Sequence, residues 1–513
     1  MNGNLFALLR SRFPQNLAAP FLILQSGRVV SYGQIDDMSA SFAQVLVECG
    51  AQIGDRIAVQ VEKSAEAVAL YLACLRGGFV YLPLNSAYRE DELDYFLADA
   101  EPTVVIGDPR SPELDTIASK RRVRSFLTLT ADGTGTLMER VVVSTTQFAL
   151  AVRARSDLAA ILYSSGTTGQ PKGIMLSHGN LSSNALTLHQ LWQFRPSDIL
   201  LHALPIFHTH GLFVALNTTL LNGTSILFLT KFSADDVIAD LLRATVMMGV
   251  PTYYVRLLAH VAFNTETCRN MRLFISGSAP LLEETFTEFQ SRTGHSILER
   301  YGMTEAGIIT SALPAQLRRA NTVGWPLPDI ALRITGEDGR EAACGETGEI
   351  LIKGPNVFQG YWRKPDKTAE DFTRDGYFKT GDLARIELDG MVSIVGRAKD
   401  MMISGGFNVY PKEIESLIDA LPGVDESAVI GMPHPDFGEA GLAVLTLKSN
   451  SPALDTTSIQ TALKNKLANY KVPKLIVIAE SLPRNAMGKV QKKKLRETYR
   501  SAWEAYLAGK SQG

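Results

Sequence analysis

The sequence predicts an α/β protein: a large N-terminal domain of two mostly parallel βα-type sheets, a β-rich subdomain, and a small α+β C-terminal domain. Three observations carry that expectation. Strand-like and helix-like runs alternate from Arg56 to Asp108 and again from Asp198 to Pro280, the pattern of βαβ units whose parallel sheet is covered on both faces. Between about 331 and 397, Asp-Gly pairs separate alternating runs, which signals hairpins. After Arg397 a third texture opens on a Gly-Gly turn. A chain of 513 residues exceeds what one core organises. We divide it into 1–397, containing the subdomain at about 331–397, and 398–513.

At the N-terminus, Leu5, Phe6, Leu8 and Leu9 fit a first packed helix. Arg10 and Arg12 precede the first acidic residue, Asp36, a faint likeness to a transit peptide, but the segment is short of Ser and Arg; a cytoplasmic location is expected, with an organelle as the alternative. RIAVQVE, SAEAVALYLACLRGG, VYLPLN, REDELDYFLADAEP and TVVIGD read as strand, helix, strand, helix, strand, with Val68, Tyr71, Leu72 and Leu75 at helical spacing. No G-x-G-x-x-G opens this unit, which argues against a dinucleotide fold. The apolar run Leu158 to Tyr163 reads as a buried strand ending at a Ser/Gly/Thr loop, and a helical pattern opens near Ser177. DILLHALP, GLFVALNTTLLNG, TSILFLT and SADDVIADLLRAT continue the alternation, the last with Ser233 and Asp236 placed for a capping box. MRLFISGSAP is a strand whose end, Ser276 to Pro280, lies where parallel sheets bind ligands. Beyond Arg397 come a helix started by Pro411, strands at SAVIGMP and GLAVLTLK, a helix through TALKNKLANY, and a basic tail.

Charge narrows the partners. With 51 basic and 53 acidic residues the net charge is −2, so no global field favours nucleic acid or an anionic membrane, and small molecules are expected. No apolar run approaches the ~18 residues of a membrane span. Cys49, Cys74, Cys268 and Cys344 are far apart with no C-x-x-C, the usage of buried free thiols.

The loop after the central strand carries chemistry. In YSSGTTGQPKG, Gly166 and Gly169 let the backbone approach an anion, while Ser164, Ser165, Thr167 and Thr168 offer hydroxyls and N–H groups and Lys172 a positive charge. A Walker A loop needs Gly-Lys-Ser/Thr, and here Lys172 stands between Pro171 and Gly173, so a GTPase-like or kinase-like reading fails.

This motif resembles the signature of the adenylate-forming superfamily, which includes acyl-CoA synthetases and the adenylation domains of peptide synthetases. Further segments match in order. Tyr301-Gly302-Met303-Thr304-Glu305 resembles the second signature, which implies that Thr304 contacts phosphates and Glu305 holds Mg²⁺. The resemblance also sets Ser278, Ala279, Pro280 and Glu299 beside ATP, and implies that Asp382 of the Thr-Gly-Asp motif accepts the ribose hydroxyls, with Arg397 reaching the ribose. Lys399 stands at the family's hinge, and Ser404, Gly405 and Gly406 correspond to the tunnel for CoA. Lys489, in PRNAMGK, corresponds to the lysine of the first half-reaction. The implied chemistry joins an acid to CoA with ATP through an acyl-adenylate, the small domain rotating between steps.

The acid is read from fewer residues. Arg300, immediately before Tyr301, is costly to bury without an anionic partner. Glu299 can supply one as a structural ion pair; a dicarboxylate substrate can supply one through its second carboxyl. Arg256, in VPTYYVRLL, is a candidate second ligand, and His208 and His210, in LPIFHTHGL, complete the pocket, His208 at the family's gating position and Ser278 beside them. LPIFHTHGLFVA, GVPTYYVRLL, RLFISGSAPLL, LERYGMTE and PRNAMGKVQK resemble malonate-activating members of the family, which implies malonate, then methylmalonate. Two alternatives stay open: a fatty or aryl acid with Arg300 paired to Glu299, and a carrier-loading adenylation protein, less favoured because no carrier domain is visible.

Overall fold

The strands Arg56–Gln60, Val80–Pro83 and Val104–Gly107 lie parallel and are linked by the helices Ala65–Gly77 and Glu90–Ala100. This is the crossover unit that the alternation predicts. A computed structural model describes residues 2–141, 147–164, 171–336, 338–404, 407–448 and 455–510. Expectations for Ser165, Gly166, Thr167, Thr168, Gly169, Gly405 and Gly406 fall outside the described residues.

Among the described residues the strands form four sheets. The first runs in the order Ser125–Thr128, Val104–Gly107, Arg56–Gln60, Val80–Pro83, Leu158–Ser164, Lys172–Ser177 and is parallel except for the last strand. The second runs Trp325–Pro326, Gly307–Ser311, Leu298–Met303, Leu273–Ser276, Val246–Gly249, Ile199–His202, Ser225–Phe228, Pro20–Leu24, Val29–Ser31. Its six central strands, from Leu298–Met303 to Pro20–Leu24, are parallel, with antiparallel strands at either end. The helix Ala65–Gly77 is buried at every residue, and its apolar side chains belong to one core with Ile57 of the first sheet and Leu200 of the second. That is why its sequence is apolar on nearly all sides instead of along one stripe.

The third sheet is the antiparallel set Ala331–Thr335, Gly348–Lys353, Phe378–Ile386, Val392–Arg397, where the Asp-Gly hairpin signals lie. The separate C-terminal domain carries the fourth. There Val424–His434 and Gly438–Leu447 pair along their length, with Met402–Ser404, Phe407–Val409 and Leu475–Ile478 beside them. Side chains alternate between two small cores: Val429 and Ala443 pack with Ile414 and Ile418, whereas Ile430 and Leu442 pack with Leu495 and Trp503.

Several elements depart from the sequence reading. A strand, Lys172–Ser177, intervenes between the central loop and the helix His178–Leu191. KGIMLS has no clear period of its own, and pairing with Leu158–Ser164 sets its form. The segment after His208 is helical, but it opens as a π-helix, His210–Leu216, before the α-helix Asn217–Asn222. Ser233 accepts from the Asp236 N–H, giving one half of the expected capping box. Cys49, Cys74 and Cys268 are buried free thiols; Cys344 is free but exposed, on a connection of the antiparallel sheet. No described helix is long and apolar enough to cross a membrane.

Candidate active site

The carboxyl ends of the parallel strands gather the sequence-selected side chains. Ser164 ends one strand of the first sheet and is paired with Lys172 across the hairpin. Ile199–His202, Val246–Gly249, Leu273–Ser276 and Leu298–Met303 end side by side in the second, and run into the His208/His210 segment, the helix Pro251–Leu258, the Ser278 turn and the Tyr301 to Glu305 motif respectively.

One side of this crevice is polar and internally tied. Asp382 is 4% exposed; its Oδ2 accepts from the Tyr301 hydroxyl at 2.6 Å, and its Oδ1 lies 2.8 Å from Arg397 Nε. Asp382 and Arg397 face each other across the antiparallel sheet, so backbone register brings both to the edge. Each carboxylate oxygen keeps capacity for a further donor. Burial raises the Glu305 carboxyl to about 6, with Arg397 and Lys172 pulling the other way. Lys172 Nζ sits 4.6 Å from the Tyr361 ring centroid and 3.8 Å from Asp371 Oδ2, while the Tyr361 hydroxyl donates to that same oxygen. Among the described residues no group of three or more His, Cys, Asp or Glu side chains is arranged to hold a metal. Glu305 is a buried carboxylate that makes no ion pair among the described residues, which suits Mg²⁺, an ion that takes one or two carboxylates and fills its shell with phosphate and water.

The other side of the crevice is organised by Arg300. It is 5% exposed, and its Nε and Nη2 have no hydrogen-bond partner. Burial lowers it to about 9, so it remains a cation at neutral pH. The expected alternative partner, Glu299, is not paired with it: Glu299 Oε1 is itself without a partner, and burial raises that carboxyl to about 8. Both residues lie on the strand Leu298–Met303, and successive strand residues point to opposite faces. His210 Nε2 and Ser276 Oγ are also buried without partners. His210 Nδ1 is 3.3 Å from Ser278 Oγ, and Ser278 holds a left-handed φ of 71°, the kind of strained backbone that clusters at ligand sites. His208 accepts from the His210 N–H at 3.2 Å. Burial and the Arg300 charge lower His208 to about 4, and the same causes hold His210 well below its ordinary value. Both imidazoles are therefore neutral, which leaves Arg300 as the cation of this wall.

Sequence reasoning missed the residue that makes room for that cation. A Cβ at Gly277 would stand 2.4 Å from Arg300 Cζ. The only available sign was the run of small residues in SGSAP. Gly277→Ala is expected to displace the guanidinium rather than the fold, because the clash is with the end of a flexible side chain. The turnover efficiency on the cognate acid should fall by roughly tenfold or more, with the melting temperature nearly unchanged; steady-state kinetics and a thermal scan check it.

Lys489 reaches the crevice from the C-terminal domain. A Cβ on the neighbouring Gly488 would lie 2.9 Å from Thr252 Oγ1, so the lysine turn abuts the start of the helix Pro251–Leu258. The residue keeps exposed surface, yet the protein around its ammonium lowers it to about 8, with Arg397 and Lys399 adding to the effect and Asp382 opposing it. A Lys448–Glu284 ion pair also joins the two domains.

Three further sequence-selected residues take the following places. Arg256 is exposed, its guanidinium 5.2 Å from the Phe232 ring centroid, so it does not converge with the buried Arg300. Helix phase puts it one turn beyond Thr252, on the rim of the crevice and not in its wall. Lys399 is exposed on the short turn Ala398–Asp400 that links the third and fourth sheets. Ser404 is fully buried with Oγ unpartnered.

The chain resembles known proteins over nearly its whole length. Residues 10–362 match the AMP-binding enzyme family and residues 413–489 the AMP-binding enzyme C-terminal domain. A malonate–CoA ligase of Arabidopsis thaliana is 34% identical over 97% of this chain and 89% of its own length. A feruloyl-CoA synthase of an Amycolatopsis species is 33% identical over 93% and 95%. The ATP-bound structure of MatB from Rhodopseudomonas palustris is 50% identical, covers 98% of this chain and 100% of its own, and superposes with a TM-score of 0.95. The apo form of that protein gives 0.84. With matches running in order through both domains, the chain belongs to the AMP-binding enzyme family.

Proposed function

We propose that the protein is an acid–thiol ligase that converts malonate, ATP and CoA to malonyl-CoA, AMP and pyrophosphate through a malonyl-adenylate. The observation that carries the choice of acid is Arg300, a buried cation whose Nε and Nη2 are unpaired and whose histidine neighbours are neutral. An isolated buried charge is costly, and a planar fork meets a carboxylate through two parallel bonds. The plant malonate–CoA ligase supports the same acid; the feruloyl-CoA synthase stands as near, so identity to curated relatives does not by itself choose between them.

In this reading the second carboxylate of malonate sits on Arg300 with His210, Ser276 and Ser278, and Arg256 swings from the rim to add a contact. The first carboxylate attacks the α-phosphorus, and the bond to the β-phosphate oxygen breaks with loss of pyrophosphate. Lys489, Lys172 and Thr304 face the phosphates, Asp382 and Arg397 hold the ribose, and the Ser278 to Pro280 turn, Glu299 and Tyr301 to Met303 lie along the nucleotide, with His208 gating the acyl pocket. Glu305 would hold Mg²⁺, which when bound would neutralise phosphate charge. The thiol of CoA then attacks the acyl carbon and AMP leaves.

Lys489 cannot occupy the phosphate side and also clear the way for CoA. We place the hinge at Lys399, with residues 398–513 rotating as a unit to bring Ser404 toward the tunnel. The short Ala398–Asp400 turn between two sheets supports this, as does the better superposition on the ATP-bound than on the apo relative. Free CoA is favoured over a carrier-borne thiol, and the cytoplasm, where ATP and CoA are both present, as the compartment.

The test is ATP-dependent AMP formation with CoA on malonate, methylmalonate, acetate, octanoate and a benzoate in parallel. Malonate should lead acetate by about four orders of magnitude, because a site built to pair a polar group rejects the analogue lacking it that strongly. Methylmalonate should follow within a factor of roughly 10–200, since one methyl discriminates weakly. A lead by octanoate or benzoate overturns the reading. Acidity adds an independent check. Glu305, raised to about 6, must be ionised to take a cation, and Lys489, lowered to about 8, must be protonated to meet phosphate. The kcat/KM for ATP should therefore rise through pH 6 and fall through pH 8.

A further inference from the structure

A buried lysine lies behind the acyl pocket, outside the machinery described above. Lys63 follows the strand Arg56–Gln60 and is 6% exposed. Its Nζ is 2.8 Å from His202 Nδ1, donates to the His202 carbonyl at 2.9 Å, and lies 4.4 Å from the Phe228 ring centroid. His202 Nε2, on the far side of the ring, is 2.9 Å from the Gly211 carbonyl.

These contacts admit one proton arrangement. A carbonyl only accepts, so Nε2 carries the hydrogen and Nδ1 is the acceptor for the lysine. The opposite tautomer would set two acceptors 2.9 Å apart. Lys63 donates both of its bonds whether it is an ammonium or an amine, so the chain of contacts survives the downward pull that burial exerts on it.

The far end of the chain is the functional end. Gly211 follows His210 and lies in the π-helix His210–Leu216, a rare backbone form. A Cβ at Gly211 would meet the Pro205 carbonyl oxygen at 2.1 Å, so the turn is folded tightly on the segment before it. We propose that Lys63 and His202 are positioning residues for the acid-binding wall: they clamp the Gly211 carbonyl and so hold His210 against Ser278 and beside Arg300. This rests on the reading above in which Arg300 and His210 receive the second carboxylate of the substrate.

Lys63→Met keeps an unbranched chain one atom shorter and removes both donated bonds. It should raise the KM for malonate by about tenfold or more, as small misplacements of a positioning wall do. It should lower discrimination against acetate in proportion and leave the KM for ATP within about twofold. His202→Gln, whose carboxamide can still donate to the Gly211 carbonyl and accept from Lys63, should stay close to the unmodified protein. His202→Phe, which fills the space without bonds, should behave as Lys63→Met does. Equal effects on malonate and ATP, or no effect on either, overturn the proposal. So does failure of both Lys63→Met and His202→Phe to fold, which makes the tie purely structural. The unmodified protein assayed alongside separates the two claims. If it does not prefer malonate, the substrate reading fails; if it does and Lys63→Met matches it, only this inference fails.

Discussion

Arg300→Ala is expected to lower kcat/KM for malonate by about 10³–10⁴-fold, roughly 4–5.5 kcal/mol of transition-state stabilisation, while ATP binding changes little. The reason is the separation of the two walls. Arg300 lies among His208, His210 and Gly277, whereas Asp382, Arg397 and Glu305 gather on the other side, the one the proposed function assigns to the nucleotide. Stability should behave unlike that of most core truncations. The side chain is a buried cation with unpaired donors, so its removal relieves a desolvation penalty that offsets the cavity it leaves. A melting temperature at or near that of the unmodified protein, with malonate use lost and AMP formation on acetate unchanged, identifies a substrate ligand. Unchanged kcat/KM for malonate would falsify the malonate reading. Arg300→Lys should recover only part of the loss, because a point charge lacks the planar fork.

Lys489→Ala is expected to abolish adenylation, by about 10³-fold or more, and to spare thioester formation. Electrostatic stabilisation of a charged transition state is often the largest catalytic contribution, and a single preorganised donor is worth about 10²–10³-fold; a full charge facing phosphate should exceed that. In the arrangement described, Gly488 abuts Thr252, and the Lys489 ammonium shares its surroundings with Arg397 and Asp382. If residues 398–513 rotate, the lysine leaves before CoA arrives. Malonate-dependent exchange of pyrophosphate into ATP should vanish, while single-turnover conversion of synthetic malonyl-adenylate and CoA stays within a few-fold. Parallel loss of both half-reactions would show that Lys489 serves the site throughout, and rotation about Lys399 would lose its main support.

The two halves of the site differ in how far they could be read ahead. Lys172, Thr304, Glu305, Asp382, Arg397 and Lys489 each lie in a short contiguous motif, and such a motif at a strand end or tight turn is legible because local backbone form and residue type occur together. The acid-binding wall has no such motif. Arg300 stood out by its type and its place before Tyr301, and whether Glu299 pairs with it depended on which side of a strand each occupies in a sheet whose neighbours come from distant sequence. Arg256 is a residue of suitable type on a suitable helix, and its place on the rim over Phe232 is set by helical phase and packing, which residue type does not reveal.

Period and composition were enough for the α/β class, the crossover from Arg56 to Gly107, the antiparallel sheet after 331 and the separate C-terminal domain, because each rests on regularities spanning a few residues. Pairing partners were not in reach of such patterns. KGIMLS became a strand through Leu158–Ser164, and Pro20–Leu24 joined a sheet at Ser225–Phe228, some two hundred residues away. The close fits that give the pocket its chemistry are of the same kind: Gly277 under the Arg300 guanidinium, and Lys63 reaching through His202 to Gly211. Burial and contact between residues far apart in the chain decide whether a charge is paired, neutralised or left waiting for a ligand, and only the folded arrangement specifies them.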